Sequence, residues 1–296
     1  MNLPGRVLDH LCEAVSRPDL SGTRYVLLDL IGRGGMGTVY RARDTRLDRE
    51  VALKVIDIPA SETAPVLEEA RLLARLEHPG IVTVHDAGIL PDGRAFCVMR
   101  RVEGVRLDEF PRGSPGMAER LAVFGKLCDA VGFAHSRGVV HRDLKPENVM
   151  VGPFGAVIVL DWGVALRTEA GGRGSATIAG TSRYMAPEQR IAAAVDSRSD
   201  IYALGVLLDE LLPPRPPRAL AAIAARARSP EPAGRYPSVE NLAEDVRRYQ
   251  DRLPVSTYAE TPWECAARFA DRNRVLLLLV AAYVLVRVLL FFFRPG

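Results

Sequence analysis

At Gly104 the residue pattern of the chain changes, and the change leaves few architectures open. Before it, apolar and β-branched runs at residues 25–31, 38–40, 51–58, 81–84 and 95–99 read as strands, separated by turns such as Pro91-Asp92-Gly93. One helical pattern interrupts them: Val66, Leu67, Ala70, Leu73, Ala74 and Leu76 recur near the helical period and stop at His78-Pro79-Gly80. After Gly104 helices take over, clearest at 117–136, 199–212 and 239–253, the second of them closed by Pro213, Pro214, Pro216 and Pro217. This order predicts an α+β chain with two lobes: a small antiparallel sheet plus one helix over residues 25–103, then a larger helical lobe over 104–253.

At 296 residues the chain has enough material for a sizeable core without metals or disulfides. Its four cysteines, Cys12, Cys97, Cys128 and Cys265, are far apart, with no C-x-x-C pair and no histidine at ligand spacing, so they read as isolated, reduced thiols. A net charge of +3 spread over this length gives no case for nucleic acid as a partner. Residues 1–24 are mixed, and acidic Asp9, Glu13 and Asp19 interrupt them too early for a secretory signal.

The other end differs. Residues 275–293 form a run of 19 whose only charged member is Arg287, long enough to cross a bilayer core of about 30 Å. Arg287 lies six residues from Phe293, so its guanidinium reaches the interface by snorkelling. Arg268, Arg272 and Arg274 precede the run and Arg294 alone follows it, which orients the preceding domain to the cytoplasm. The expectation is a single-pass, C-terminally anchored protein of the cell membrane, with residues 254–274 as juxtamembrane segment.

Four segments carry chemistry. In Gly32-x-Gly34-x-x-Gly37-x-Val39 the missing side chains let backbone N–H groups approach phosphate oxygens. The same glycine spacing opens dinucleotide-binding units, but a helix must follow there, whereas Thr38-Val39-Tyr40 continues as strand. Lys54 closes Val51-Ala52-Leu53-Lys54, 17 residues after the last glycine, so a hairpin puts its ammonium beneath the loop. Glu69 on the following helix is its expected ion-pair partner, with Glu68 as competitor. His141-Arg142-Asp143-Leu144-Lys145-Pro146-Glu147-Asn148 sets a carboxylate, an ammonium and a carboxamide within six residues, and Asp161-Trp162-Gly163 adds a second carboxylate after an apolar run. Asn148 and Asp161 together suit magnesium, which takes oxygen ligands and keeps phosphates and waters in its shell.

In this order the segments, completed by Ala186-Pro187-Glu188, resemble the eukaryotic-type (Hanks-type) serine/threonine protein kinases of the bacterial, membrane-anchored kind, over residues 25–253. The resemblance implies a two-lobed kinase-like fold followed by one transmembrane helix, with ATP and Mg2+ as cofactors and protein serine or threonine hydroxyls as substrates. It implies that Asp143 orients the hydroxyl and accepts its proton, that Lys145 steadies the γ-phosphate, and that Asn148 and Asp161 bind magnesium. Lys54 with Glu69 would fix the α- and β-phosphates beneath Ile31, Gly32, Arg33, Gly34, Gly35, Met36, Gly37, Thr38 and Val39. Adenine would lie between Ile31, Val39 and Ala52 above and Met150 below, with Met99 behind. Leu73, Val84, His141 and Trp162 would join the lobes, Asp200 would anchor the catalytic loop, and Glu188 would pair with Arg235. Lys145 and Gly180-Thr181 point to the serine/threonine branch. Ser175 or Thr177 would be autophosphorylated and pair with Arg142. The resemblance also suggests a homodimer among the partners.

Departures from the pattern are few. Trp162 replaces a more common phenylalanine, and Arg100 stands where an acidic residue is frequent. Only 22 residues separate Leu212 from Arg235, so the family's helix G region looks missing and substrate docking is in doubt. The competing readings are a membrane-tethered pseudokinase scaffold, whose usual loss of a key residue is not seen here, and a small-molecule kinase, which would not need residues 180–188.

Overall fold

The computed structural model describes residues 17–34, 37–56, 63–162, 183–191 and 194–292. Five strands form the first lobe: β1 (Tyr25–Gly34), β2 (Gly37–Asp44), β3 (Arg49–Ile56), β4 (Val84–Ile89) and β5 (Ala95–Arg100), all antiparallel in the order β1-β2-β3-β5-β4. Helix α1 (Thr63–Leu73) lies between β3 and β4 in the chain.

Strand alternation divides this sheet into two working faces. Tyr40 and Ala42 of β2, Val51, Leu53 and Val55 of β3 and Phe96 and Val98 of β5 are buried together with Tyr25 and Leu90 in one apolar cluster. The residues between them point the other way, because successive side chains of a strand alternate. Register pairs Val39 with Lys54, Lys54 with Cys97, and Ala52 with Met99, so Val39, Ala52, Lys54 and Met99 share the second face.

The strand expected at 81–84 sits later, at Val84–Ile89. Ile81 and Val82 belong to a loop that docks on the other lobe: Val82 N donates to Val159 O (3.1 Å) and Val159 N to Gly80 O (2.8 Å). His78 stacks on Phe133, ring centres 5.0 Å apart, and a Cβ on Gly80 would meet Ala130 Cβ at 2.9 Å. A long-range contact, invisible to local periodicity, thus claims those apolar residues.

The second lobe is built on α2 (Met117–Ser136), preceded by β6 (Val105–Arg106). Strands β7 (Val149–Val151) and β8 (Val157–Val159) follow and pair with β6 in a second small sheet. The remaining helices are α3 (Pro187–Arg190), α4 (Arg198–Leu211), α5 (Arg218–Ala227), α6 (Val239–Gln250), α7 (Pro262–Arg272) and α8 (Arg274–Phe292). Phe124, Leu127 and Val131 of α2, Leu204, Leu207 and Leu208 of α4, Leu220 and Ile223 of α5 and Leu242 and Val246 of α6 bury one core. The interval between Leu212 and Arg235 therefore holds one ten-residue helix, α5, packed on α4.

Gly104 makes the junction between lobes close. At φ 148° it occupies backbone space barred to other residues, and a Cβ there would lie 2.3 Å from Val151 O.

Helix α8 is apolar on every side, and its large side chains from Val275 to Leu289 are exposed where described. Among the described residues no helix is long and apolar enough to cross a membrane. The side chains of α8 are described without a gap only over residues 275–289, about 22 Å of helix.

Candidate active site

The second face of the first sheet and the loops around β7 and β8 meet in a cleft. Above it, β1 and β2 form a tight hairpin that pairs Gly32 with Val39, Arg33 with Thr38 and Gly34 with Gly37. Its glycines do different work. A Cβ on Gly32 or Gly34 would touch nothing within 4 Å, so these residues leave bare backbone facing open space. Gly37, at φ 140°, lies so close to β3 that a Cβ would be 2.0 Å from Val55 O. Gly35 and Met36 lie outside the described residues. Ile31 is half exposed at the cleft mouth, whereas Ala52 is buried on its roof. Met150 of β7 pairs with Arg106 of β6 and Ile158 of β8.

Lys54 is buried to 8% exposure, and its Nζ donates to Asp161 Oδ1 at 2.6 Å. The side chain of Glu69, its expected partner, lies outside the described residues. Asp161 adopts φ 50° immediately after β8 and Leu160. A left-handed aspartate costs about 1–3 kcal/mol and is kept where the surroundings enforce it. Here Trp162 does so: it is 1% exposed, donates from Nε1 to Val159 O (3.2 Å) and packs 4.6 Å from the His141 ring.

Backbone and side-chain hydrogen bonds lock the loop 141–148. Asp200, from the first turn of α4, accepts from His141 N and Arg142 N, both at 2.8 Å, and from His135 Nε2 at 2.8 Å. Burial alone would raise its carboxyl, but these donors outweigh burial and hold it below the usual carboxylate range. His141 donates from Nε2 to Leu160 O (3.0 Å) and accepts at Nδ1 from Asp143 N (3.3 Å), which fixes the orientation of its ring. Arg142, at φ 65°, is the second left-handed residue of the site. Its Nε and Nη1 are buried without a hydrogen-bond partner among the described residues.

Three functional side chains converge on one another. Asp143 Oδ2 accepts from Lys145 Nζ at 2.7 Å and from Asn148 Nδ2 at 3.3 Å, and Asn148 Nδ2 also donates to Asp143 O at 2.9 Å. With its amide nitrogen occupied in this way, Asn148 keeps its carbonyl oxygen for another acceptor role. Leu160 N donates to Asn148 O at 2.7 Å, which ties Asn148 to the strand that delivers Asp161.

Below the loop, Arg235 is a buried guanidinium that donates to Glu188 Oε1 at 2.6 Å and Oε2 at 2.8 Å. Ser199 Oγ adds a third bond at 2.7 Å. Burial works against this carboxylate, yet its partners hold it down to about 2. Gln189 Nε2 donates to Arg142 O (2.8 Å), which ties the segment around Glu188 to the loop around Asp143. Gly163, Ser175, Thr177, Gly180 and Thr181 lie outside the described residues.

The donor set fits nucleotide and magnesium. Bare backbone of the hairpin stands on the face that carries the Lys54 ammonium, and Asn148 through Oδ1 and Asp161 through the carboxylate oxygen that Lys54 does not hold suit a hard cation that draws its other ligands from phosphate and water. Among the described residues no three His, Cys, Asp or Glu side chains cluster as a self-sufficient metal site.

Such a two-lobed fold with this cleft defines a phosphotransferase class, and comparison with known sequences agrees. Residues 25–229 match the protein kinase domain, and the chain belongs to that family. It is 37% identical over 215 residues to the serine/threonine-protein kinase PknB of Mycolicibacterium smegmatis, covering 69% of this chain and 34% of that protein. It is 33% identical over 307 aligned positions to the serine/threonine-protein kinase PknD of Chlamydia trachomatis, covering 80% of this chain and 33% of the relative. The chain thus spans about a third of the length of these curated relatives. Protein kinases of this family use ATP with Mg2+. The family match ends at 229, but the core runs on through α6, whose Leu242 and Val246 are buried with α2.

The sequence marks Gly104 only as the point where the residue pattern changes; its close approach to Val151 O, like the bond of Gln189 to Arg142 O, exists only in the folded chain.

Proposed function

We propose that this chain is an ATP- and magnesium-dependent serine/threonine protein kinase whose acting unit is residues 25–253. The observation that carries the reading is the convergence of Lys145 and Asn148 on Asp143, with Asp161 and Lys54 paired across the same cleft. Bound magnesium would neutralise phosphate charge during transfer, held by Asn148 Oδ1 and Asp161. Lys54 fixes the α- and β-phosphates under the hairpin of Gly32, Gly34 and Gly37. Ile31, Val39, Ala52, Met99 and Met150 enclose adenine.

Asp143 orients the substrate hydroxyl and receives its proton as the oxygen bonds to the γ-phosphorus. The bond between that phosphorus and the β–γ bridging oxygen breaks, its electron pair leaves with ADP, and Lys145 stabilises the charge on the transferring group. Autophosphorylation of Ser175 or Thr177 is part of the reading, supported by two buried nitrogens of Arg142 that have no hydrogen-bond partner among the described residues.

We further propose that α8 anchors the protein in the cell membrane with the kinase domain in the cytoplasm. Its 19 residues extend about 28 Å and its described side chains are apolar and exposed all round, apart from Arg287.

The test is incubation of the full chain with γ-labelled ATP and a basic acceptor protein, followed by phosphoamino-acid analysis. The reading expects label in phosphoserine or phosphothreonine that disappears when magnesium is chelated. ATP binding without transfer would leave a tethered scaffold instead. Resistance to alkaline carbonate extraction tests the anchor, and release would remove it.

A further inference from the structure

Helix α7 has its faces reversed for a helix on a domain surrounded by water. Its described charged side chains, Glu264 and Arg268, turn toward its own protein. Glu264 accepts from Tyr258 Oη (2.9 Å) and from Thr261 N (2.8 Å), and Arg218 at the start of α5 stands 3.7 Å away. Arg268 donates to Glu260 at 2.9 and 2.7 Å and to Arg252 O at 3.4 Å. The other side of the helix is an apolar stripe of Pro262, Trp263, Ala266, Phe269 and Ala270, every one exposed. Trp263 is 85% exposed and Phe269 62%. An amphipathic helix on a soluble domain buries that stripe and shows its charges to solvent.

Asn273 then makes a joint. Its backbone N and its Nδ2 both donate to Phe269 O, at 3.0 and 2.9 Å, which closes α7. Its own carbonyl accepts from Leu277 N at 2.9 Å, which opens α8, and its φ of −107° and ψ of 21° leave the helical region. The bare stripe therefore ends one turn before the apolar helix begins. Any bilayer that takes α8 has its interface within about 5 Å of this joint along the helix. Tryptophan and phenylalanine favour that depth. Arg272 and Arg274, close together here in the sequence, suit anionic headgroups.

We propose that α7 is an interfacial helix, lying in the cytoplasmic headgroup layer with Trp263 and Phe269 in the acyl boundary; this rests on the membrane reading of α8. Glu264 and Arg268 then clamp the kinase domain against the bilayer surface, and the domain does not swing on a slack tether.

The chain has two tryptophans, and Trp162 is buried in the core, so Trp263 serves as the reporter. The full chain is reconstituted in phosphatidylethanolamine–phosphatidylglycerol vesicles containing lipid brominated near the top of the acyl chain. Brominated lipid should quench the Trp263 share of the emission, about half, and this quenching should vanish in Trp263→Phe while carbonate resistance stays the same. Equal quenching of wild type and variant in carbonate-resistant protein would overturn the inference and leave the anchor standing. Shielding of Trp263 from acrylamide without quenching by brominated lipid would assign the stripe to a protein surface and overturn it too. Release of the full chain by carbonate would remove both the anchor and the inference.

Discussion

The cleft and the C-terminal helices are opposite solutions for polar and apolar groups. In and beneath the cleft, charged side chains are drawn inward and paired: Lys54 meets Asp161, Asp143 meets Lys145, Glu188 meets Arg235, and Asp200 meets three donors, with Arg142 the exception among the described residues. In α7 and α8 the described large apolar side chains are turned outward and exposed. The first arrangement sets charges in fixed positions before a ligand arrives, which is what phosphate chemistry requires. The second is stable only against an apolar or interfacial neighbour. A substitution should therefore act on chemistry or folding in the first region and on location in the second.

The largest effect is expected at the cation ligand. Asp161→Asn in the full chain should lower phosphate transfer about 10³-fold with the fold intact, as measured by labelled-ATP incorporation and circular dichroism. A loss under tenfold would break the assignment of the cleft.

Next comes the buried pair beneath it. Arg235→Ala strands Glu188 in a site 8% exposed and should cost about 3–5 kcal/mol in urea unfolding of the detergent-solubilised chain. The same carboxylate gives a pH signature. Its folded value is held down to about 2 from an ordinary 4.5. Its contribution to stability is therefore full above about 4.5 and lost as pH falls toward 2. Glu188→Gln should flatten the acid limb of stability between these values; an unchanged limb would mean the pair is not formed in solution.

A smaller effect is expected at the hairpin. Gly37→Ala forces a Cβ onto Val55 O in a left-handed backbone, so stability should fall by about 1–3 kcal/mol. KM for ATP should rise. Gly32→Ala meets open space and should disturb folding much less.

The smallest stability effect belongs to the outward face. Trp263→Ser with Phe269→Ser should change unfolding free energy by less than about 0.5 kcal/mol in detergent. A large loss would show that these rings pack on protein and would erase the contrast between the two regions.

Much of the first region was legible because its chemistry lies in short contiguous segments. Lys54 follows from a strand ending beneath a glycine loop, and Asp143, Lys145 and Asn148 sit on one loop, so spacing alone puts them near each other. The pairing of Glu188 with Arg235 and the anchoring by Asp200 were reached through family resemblance, since 47 residues separate the first pair. What stayed illegible depends on tertiary contact. Ile81 and Val82 read as a strand but are claimed by Val159, and β6, β7 and β8 are too short to carry a period of their own.

Two helices were readable and were missed. Leu220, Ile223, Ala224 and Ala227 mark the buried side of α5, but the proline cluster before them suggested only a break. Thr261-Pro262-Trp263-Glu264 is a capping box, with Thr261 N donating to Glu264 Oε2 and Glu264 N to Thr261 Oγ1, and it announces α7 directly.

The central claim is that Asp143 handles the proton of a protein hydroxyl in a cleft already arranged for ATP. The direct measurement is single-turnover transfer from magnesium-ATP by the full chain and by Asp143→Asn, with ATP affinity determined for both. The account predicts that transfer to serine or threonine falls by about 10²–10⁴ in the variant while ATP affinity stays within a few-fold. Equal transfer rates, or no transfer by either protein despite tight ATP binding, would contradict it.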